Sequence, residues 1–569
     1  MEKRHYRYYA ISLVVFVLTV LSIFLIRDGV YDIDMCIVRF LAAFIALLGG
    51  HYLFIVKKVR FPVKKMLIAA GILLGTAGIS YLISVVCVKN NWFRELSYPF
   101  LLFAFGVTLI AVLIFLFLKN IISDTFLLAA IVLIVGSIYA FSYPDANLVV
   151  WDDQTHYERT VIVSHFNMDN APLSEADRIL INSAYQRSAG LLPNNEARVF
   201  SDTVNETYLT GEKYSAAYDQ PLYGQPLTYL PAAMMLLAGR GLCFQYSTTF
   251  TLGRWANTLF YSLLVFLALR RLKTGKLIFF VISMFPTTLV LMSDYSYDTW
   301  GLGFTLLSFA LWLEVMQNEQ VHLTPKRLTA ICLLFVLSCA AKPVYFLMIL
   351  VFLLTPASRL DDSLNLRTFR IVIILTAVLL VASFVIPFLS SGAGGNDYRG
   401  GSDVNSFKQV HYILSNPLTY AGVLLNFLKE YWTSGYYIYS LAYLGNAPHS
   451  FLILLPMLII AFLDKSDADR TAICFKNSAV SIILAVATSA LIATSLYVSF
   501  TPVGLNKFNG CQPRYLLPLL PFVAYFLGGR RIAEAVKKLV PIKMLVVFTA
   551  VYMTVYSCAA IYNHCLLVF

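Results

Sequence analysis

The sequence predicts an all-α polytopic membrane protein, and three observations carry that prediction. Charged residues make up 13% of 569 positions, about half the roughly 25% usual in soluble domains. Apolar residues reach 59% and aromatic ones 15%, with a mean hydropathy of +0.73. Apolar runs near the length of about 20 residues that a bilayer demands recur along the whole chain. A formal charge of +12 would suggest a nucleic-acid partner in a soluble chain. Here it reflects the Lys and Arg that hold loops on the cytoplasmic side, and no nucleic acid is expected. Nine cysteines lie scattered without C-x-x-C spacing, which supports neither a zinc site nor a disulfide framework.

Lys3, Arg4 and Arg7 precede the first apolar run, 9 to 26, with no small-residue cleavage site after it. It is expected to be an uncleaved span with a cytoplasmic N-terminus. Runs at 37 to 56, 66 to 87, 99 to 118 and 125 to 142 complete a five-span region, 1 to 142, and leave the chain outside. The polar segment 143 to 227 then holds 12 Asp and Glu against 5 Lys and Arg, as an external domain would. Were 228 to 245 to cross as well as 252 to 269, Arg270, Arg271, Lys273 and Lys276 would fall outside. The first stretch, interrupted by Gly239 and Arg240, is therefore expected to lie on the outer leaflet, so that 143 to 251 forms one external loop with interfacial helices.

Central membrane helices fill 252 to 390, with runs at 252 to 269, 276 to 293, 297 to 317 and 370 to 390. The stretch 328 to 356 is broken by Lys342 and Pro343. A hairpin keeps Arg359, Arg367, Arg370, Arg530, Arg531, Lys537 and Lys538 inside, and places Lys342 at a turn near the outer face. A second external loop covers 391 to 449, and the membrane helices of 450 to 569 bring the total to about 15 crossings. No internal repeat is evident.

Ionisable groups at the outer helix ends are the candidates for chemistry, because a charge in lipid is costly. The densest group is Trp151-Asp152-Asp153-Gln154-Thr155-His156-Tyr157-Glu158-Arg159. In a helix starting there, Asp152 and His156 share a face, with Asp153 one turn from His156. Alone, Asp152 reads as a helix N-cap. A metal site from Asp152, Asp153 and His156 lacks a further ligand fixed by spacing. No cofactor is fixed by the sequence; a divalent metal is the one candidate.

These residues resemble the P-D-E-x-x-H-F signature of a bacterial membrane family catalogued as domain of unknown function 2142. Further matches follow in order: Gln225-Pro226-Leu227-Thr228-Tyr229-Leu230-Pro231 resembles P-P-L-Y-Y-L-P, and Gly253-Arg254-Trp255-Ala256-Asn257 resembles R-L-x-N. Ser293-Asp294-Tyr295-Ser296-Tyr297-Asp298 resembles S-x-S-Y-D, and Ala341-Lys342-Pro343-Val344-Tyr345 resembles a K-P-x-Y turn. Gly510-Cys511-Gln512-Pro513-Arg514-Tyr515-Leu516-Leu517-Pro518 resembles G-x-Q-G-R-Y-x-x-P. The chain departs from the pattern where Asp153 replaces Glu, Gln225 replaces Pro and Pro513 replaces Gly, and where five spans precede the first motif instead of one.

That family is similar to GT-C glycosyltransferases, which carry acidic residues on the first large external loop and use polyprenyl-phosphate sugars. The resemblance implies transfer of a sugar to an external glycan or cell-wall polymer, by a multi-pass protein of the bacterial cytoplasmic membrane with its active site outside. A lipid phosphate leaves as a stable anion, so one base suffices where a glycosidase needs two carboxylates. Asp152 would take the acceptor proton, with Asp153 and His156 beside it, and the anomeric carbon would invert.

Cations would stabilise the departing phosphate. Arg254, Lys342 and Arg514, with Gln512, are the candidates at the outer helix ends. Each has a plainer role as well: Arg254 snorkels, Lys342 breaks a hairpin, Arg514 anchors a loop. Arg159, Gln225, Tyr229 and Asp298 are candidate substrate contacts, with N-capping preferred for Asp294 and Asp298. Tyr431, Trp432, Tyr436, Tyr437 and Tyr439 are expected to settle at headgroup level. Two other functions compete: a transporter or flippase of lipid-linked saccharides, which should show repeats and broken helices with charges at the bilayer midplane, and a non-catalytic assembly subunit.

Overall fold

The computed structural model describes residues 63–90, 97–143, 148–186, 194–218, 225–390, 397–448, 451–529, 533–535 and 540–566. The expected spans 9 to 26 and 37 to 56 lie outside the described residues. What remains is an all-α polytopic membrane protein. Among the described residues, eight helices are long and apolar enough to cross a membrane, and three further apolar stretches are shorter.

The chain enters through α1 (Val63–Lys89) and α2 (Tyr98–Leu118), whose apolar side chains face mostly outward. Helix α3 (Asp124–Ser142) starts where the Ser123 hydroxyl accepts from the Phe126 amide at 3.2 Å, and it is largely buried. The lobe that follows is built from α4 (Asp153–Ser164), β1 (Ala171–Ser174), α5 (Glu175–Gln186), α6 (Asn194–Thr210) and β2 (Lys213–Ala216). Its two strands pair antiparallel, Ala171 opposite Ala216. It has its own apolar core, in which Val161, Leu173, Leu180 and Val204 meet Phe250 and Tyr295. The buried Asp177 within it accepts from the Tyr157 hydroxyl at 2.7 Å, the Tyr246 hydroxyl at 2.9 Å and the Ser174 amide at 2.8 Å.

A short 3-10 turn, Pro226–Tyr229, leads into α7 (Leu230–Gly241). Its twelve residues rise only about 18 Å, short of the hydrocarbon thickness of about 30 Å, so α7 by itself is too short to cross. Helix α7 folds back on α8 (Tyr246–Leu269), and Gly239 is what allows the approach: a Cβ there would stand 2.5 Å from the Thr249 methyl.

The run 276 to 293, expected as one span, is broken into α9 (Lys276–Ser283) and α10 (Pro286–Met292). Pro286 has no amide hydrogen and cannot continue the helix, and Phe285 is extended. The break sits in the core, and its exposed backbone is stitched from elsewhere. The Ser557 hydroxyl donates to the Met284 carbonyl at 2.9 Å, and the Thr288 hydroxyl to the Ile282 carbonyl at 2.9 Å.

Helix α11 (Asp298–Gln317) is surrounded on nearly all sides and forms the centre of the bundle. The hairpin expected at 328 to 356 is present. Thr324 caps α12 (Pro325–Cys339), Lys342 turns in an extended conformation, and the chain returns as a 3-10 helix, Pro343–Leu354. Helix α13 (Leu366–Ser390) presents Ile371, Ile374, Val378 and Leu379 outward.

In the second loop, α14 (Ser406–Ser415) and α15 (Pro417–Thr433) lie against a later span, Phe475–Phe500. Of the aromatic set expected at headgroup level, Tyr431, Trp432 and Tyr437 are hydrogen-bonded within the protein, while Tyr436 is exposed. Tyr431 donates to the Gln512 carbonyl, Trp432 Nε1 to the Ser489 hydroxyl at 3.2 Å, and the buried Tyr437 to the Trp432 carbonyl at 3.2 Å. Those carbonyls and hydroxyls outbid the interface for the aromatic donors.

The basic loops that fixed the expected topology converge on one end of the bundle. Arg271 and Arg327 both approach Glu314, at 3.6 and 4.0 Å, and Lys276 pairs with Asp124 at 2.9 Å. That end lies the length of α11, about 30 Å, from Asp298. In a cysteine-free background, Cys introduced at the exposed positions Glu212 and Asp403 is expected to react with an impermeant thiol reagent on intact cells, and Cys at Arg270 only after permeabilisation. Labelling of Arg270→Cys from outside would invert the orientation.

Candidate functional site

The site begins with a backbone constraint. Asp152 occupies the N-cap position of α4 with φ 60° and ψ 19°, in the left-handed region, and its side chain makes no capping bond. Asp tolerates this conformation better than most residues. The expected capping role is therefore overturned: the carboxylate makes no bond to the amides of its own helix and is engaged by residues of other segments. Asp153 closes the turn instead: its Oδ2 accepts from the Val149 and Val150 amides at 2.8 and 2.5 Å.

The Asp152 carboxylate meets three residues from two distant segments. Arg514 Nη2 donates to its Oδ2 at 2.9 Å, Gln512 Nε2 to the same oxygen at 3.3 Å, and Arg399 Nη1 stands 3.6 Å from Oδ1. Arg514 is buried. Its Nη1 donates to the Trp151 carbonyl at 3.0 Å, and its Nε lies 3.1 Å from Asp298 Oδ2 in an ion pair. Lys342 completes the group at 2.6 Å from Asp298 Oδ1, with its ammonium 3.8 Å from the centre of the Tyr515 ring. Asp298 starts α11 but does not cap it. Its carboxylate spans the two cations, in place of the expected capping bond.

Electrostatics follow from burial and these neighbours. Burial works against ionisation of Asp152, yet the charges of Arg514 and Arg399 and the Gln512 hydrogen bond prevail and hold its carboxyl below the ordinary range. Burial, then Arg514, pushes the His156 imidazole down to about 3, so it is neutral. Its Nδ1 shares a hydrogen bond with the Tyr229 hydroxyl at 3.0 Å, and its ring meets Tyr297 edge-on at 4.6 Å. Burial brings the Lys342 ammonium down to about 8 against the pull of Asp298.

Arg254 does not join Arg514 and Lys342. It is fully buried one layer below, with Nε 3.5 Å from Asp294 Oδ1 and its guanidinium 4.4 Å from the Phe250 ring centre. The buried Asp294 carboxyl draws it inward, so its expected contact with a donor phosphate is corrected to a structural one. Asp294 and Asp153 lie close enough for a proton on one to bond to the other, and burial followed by mutual repulsion raises the Asp153 carboxyl well above its usual value. Asp153 is thus a buried acid supporting the turn under Asp152, not a second exposed carboxylate.

Other expected residues divide. Gln512 reaches Asp152 while its Oε1 is buried without a partner. Tyr229 is held by His156. The Gln225 side chain is exposed, and its amide donates to the Ala340 carbonyl at 3.2 Å beside the Lys342 turn. Arg159 stacks over Tyr218 at 4.5 Å.

Arg399, Tyr297 and Tyr515 were not foreseen. Arg399 belongs to an Asp397–Arg399 pair just after a Ser-Gly-rich stretch, and no spacing rule links it to Asp152. A divalent metal does not fit: among the described residues no three acidic, His or Cys side chains group around a common point, and both carboxylates nearest His156 are matched to fixed cations.

Removing one partner of a buried ion pair costs about 3 to 5 kcal/mol, whereas an exposed pair is worth about 1 kcal/mol or less. Arg514→Gln is therefore expected to lower unfolding stability in detergent by about 3 kcal/mol, and the half-exposed Arg399→Gln by under about 1 kcal/mol. Equal losses would show that the Arg514 pairs carry no more weight than a surface contact.

No curated protein and no solved structure matches the chain. One family does, over residues 133–523, from within α3 through α11 and the Lys342 turn to the segment after Arg514. The span of that match contains every residue of the cluster, and the chain belongs to the family described as "Predicted membrane protein (DUF2142)".

Proposed function

We propose that the protein is a membrane glycosyltransferase of the GT-C type, moving a sugar from a polyprenyl-phosphate donor to an external glycan or cell-wall polymer. The observation that carries this reading is the pairing of Asp152, ionised and 21% exposed, with Arg514, buried at 1%. A carboxylate able to take a proton thus stands beside fixed cations able to hold a phosphate.

In the proposed reaction an acceptor hydroxyl attacks the anomeric carbon while Asp152 takes its proton. The bond from that carbon to the phosphate oxygen breaks, and the electron pair leaves with the phosphate, whose charge Lys342 and Arg514 offset. Attack from the face opposite the leaving group inverts the carbon. A weakly basic carboxylate serves because the transition state is oxocarbenium-like and the attacking hydroxyl acidifies as its new bond forms. His156 and Tyr229 are neutral hydrogen-bonding groups beside the reacting centre. They position, and carry no charge.

The broken pair α9 and α10 favours a second reading, a flippase of lipid-linked saccharides, since discontinuous helices are a transporter feature. The two separate in one assay. Purified protein incubated with polyprenyl-phosphate sugar and a glycan acceptor is expected to release the lipid phosphate. A flippase would move the lipid between leaflets and release none.

Asp152→Asn keeps the side-chain shape and the left-handed turn, and is expected to lower transfer about a hundredfold or more with the fold intact. Undiminished transfer would remove Asp152 as the base. Donor affinity is expected to be flat at neutral pH and to fall as pH rises through about 8, where the Lys342 ammonium loses its proton. A phosphodiester does not titrate there, so Lys342→Met is expected to abolish the step. Persistence of the step in that variant would assign it to another group.

A further inference from the structure

The reading above uses one end of α4, and the same face of that helix continues. Asp152, His156 and Arg159 stand at i, i+4 and i+7, a single stripe about 10 Å long at 1.5 Å per residue. The stripe changes character along its length: an ionised carboxylate, then a neutral imidazole bonded to Tyr229, then a guanidinium over Tyr218. Tyr218 is itself fixed, its amide donating to the Met168 carbonyl at 2.6 Å.

The cations around the site differ in one respect. Arg514 and Lys342 are matched by Asp152 and Asp298, Arg254 by Asp294, and Arg399 by Asp397. Arg159 has no carboxylate partner among the described residues. Its Nη1 is shielded from solvent and donates to nothing, although the guanidinium plane rests on the Tyr218 ring. A shielded N–H of a charged group left open is costly, and a stacked guanidinium holds its remaining donors in a fixed fork suited to a carboxylate or phosphate.

We propose that Arg159, held over Tyr218, forms an acceptor subsite that binds the carboxylate or phosphate of an anionic glycan whose hydroxyl lies at Asp152. The inference rests on the glycosyltransferase reading and narrows it, because the acceptor then belongs to the acidic polysaccharides or polyol phosphates. Separation along the stripe puts the anion and the attacking hydroxyl on neighbouring units of the polymer. The donor phosphate has its own cations, Lys342 and Arg514, at the Asp152 end, so the two anions do not compete.

The test uses full-length protein in detergent and calorimetric binding of four probes: an oligogalacturonate, an oligomeric glycerol phosphate, neutral maltotriose, and polyprenyl phosphate. The parent is expected to bind at least one charged oligomer about tenfold or more tighter than maltotriose, the scale of one hydrogen bond to a charged group. Arg159→Gln is expected to erase that preference and leave polyprenyl phosphate affinity within about twofold. Arg159→Lys, which keeps the charge and loses the fork, is expected to restore part of it.

Equal affinity of the parent for charged and neutral oligomers would overturn the proposal without any substitution, so it stays testable even where a variant misfolds. Equal loss of charged and neutral oligomers in Arg159→Gln would also overturn it, as would loss of polyprenyl phosphate binding there, which would move Arg159 to the donor. Failure of the parent to bind polyprenyl phosphate at all would count against the transferase reading, while the oligomer comparison would still be read.

Discussion

Arg514 is a permanent cation with almost no access to water, and the arrangement around it follows from that fact. A guanidinium offers five donors and cannot shed its proton, so its surroundings must supply acceptors and negative charge. Asp298 arrives from the start of the central helix, Asp152 from the lobe, and the Trp151 carbonyl from the residue before it. One side chain therefore ties together three segments separated by hundreds of residues. Lys342 then shares Asp298, which brings in the hairpin turn and, through the Ala340 carbonyl, the entry to α7.

Below this layer lies a second one with a different solution to the same problem. Arg254, Asp294 and Asp153 are sealed from solvent, and burial together with repulsion from Asp294 raises the Asp153 carboxyl. The upper layer stays charged and partly open; the lower one is closed. Asp153 connects the two, since its outer oxygen fixes the Val149 and Val150 amides that set the left-handed turn at Asp152. Adjacent carboxyls are thus shifted in opposite directions, Asp152 down and Asp153 up, one step of backbone apart.

Much of this was legible in the sequence, in ways that reflect which signals are local. The shared face of Asp152 and His156 follows from helical spacing, and the turn at Lys342-Pro343 from a charge and a helix breaker. Arg254 was misplaced because its partner, Asp294, is 40 positions away and no periodicity joins them. Arg399 was missed for the same reason. The break at Pro286 was hidden by hydropathy, which averages over a window and cannot distinguish one buried helix from two. The hydrogen bonds of Tyr431, Trp432 and Tyr437 were not legible, because amphipathic rings suit a bilayer interface and a packed bundle equally well until their partners are known.

The break between α9 and α10 also has a history in time. Its Met284 carbonyl is satisfied by the Ser557 hydroxyl, 273 positions further along the chain. At the usual synthesis rate of about 5 to 20 residues per second, that partner emerges roughly tens of seconds after the carbonyl does. Throughout that interval a polar backbone group stands in apolar surroundings that penalise it, so α9 and α10 cannot settle as an independent pair. The bond that closes the break can form only after Ser557 has been made, long after both short helices.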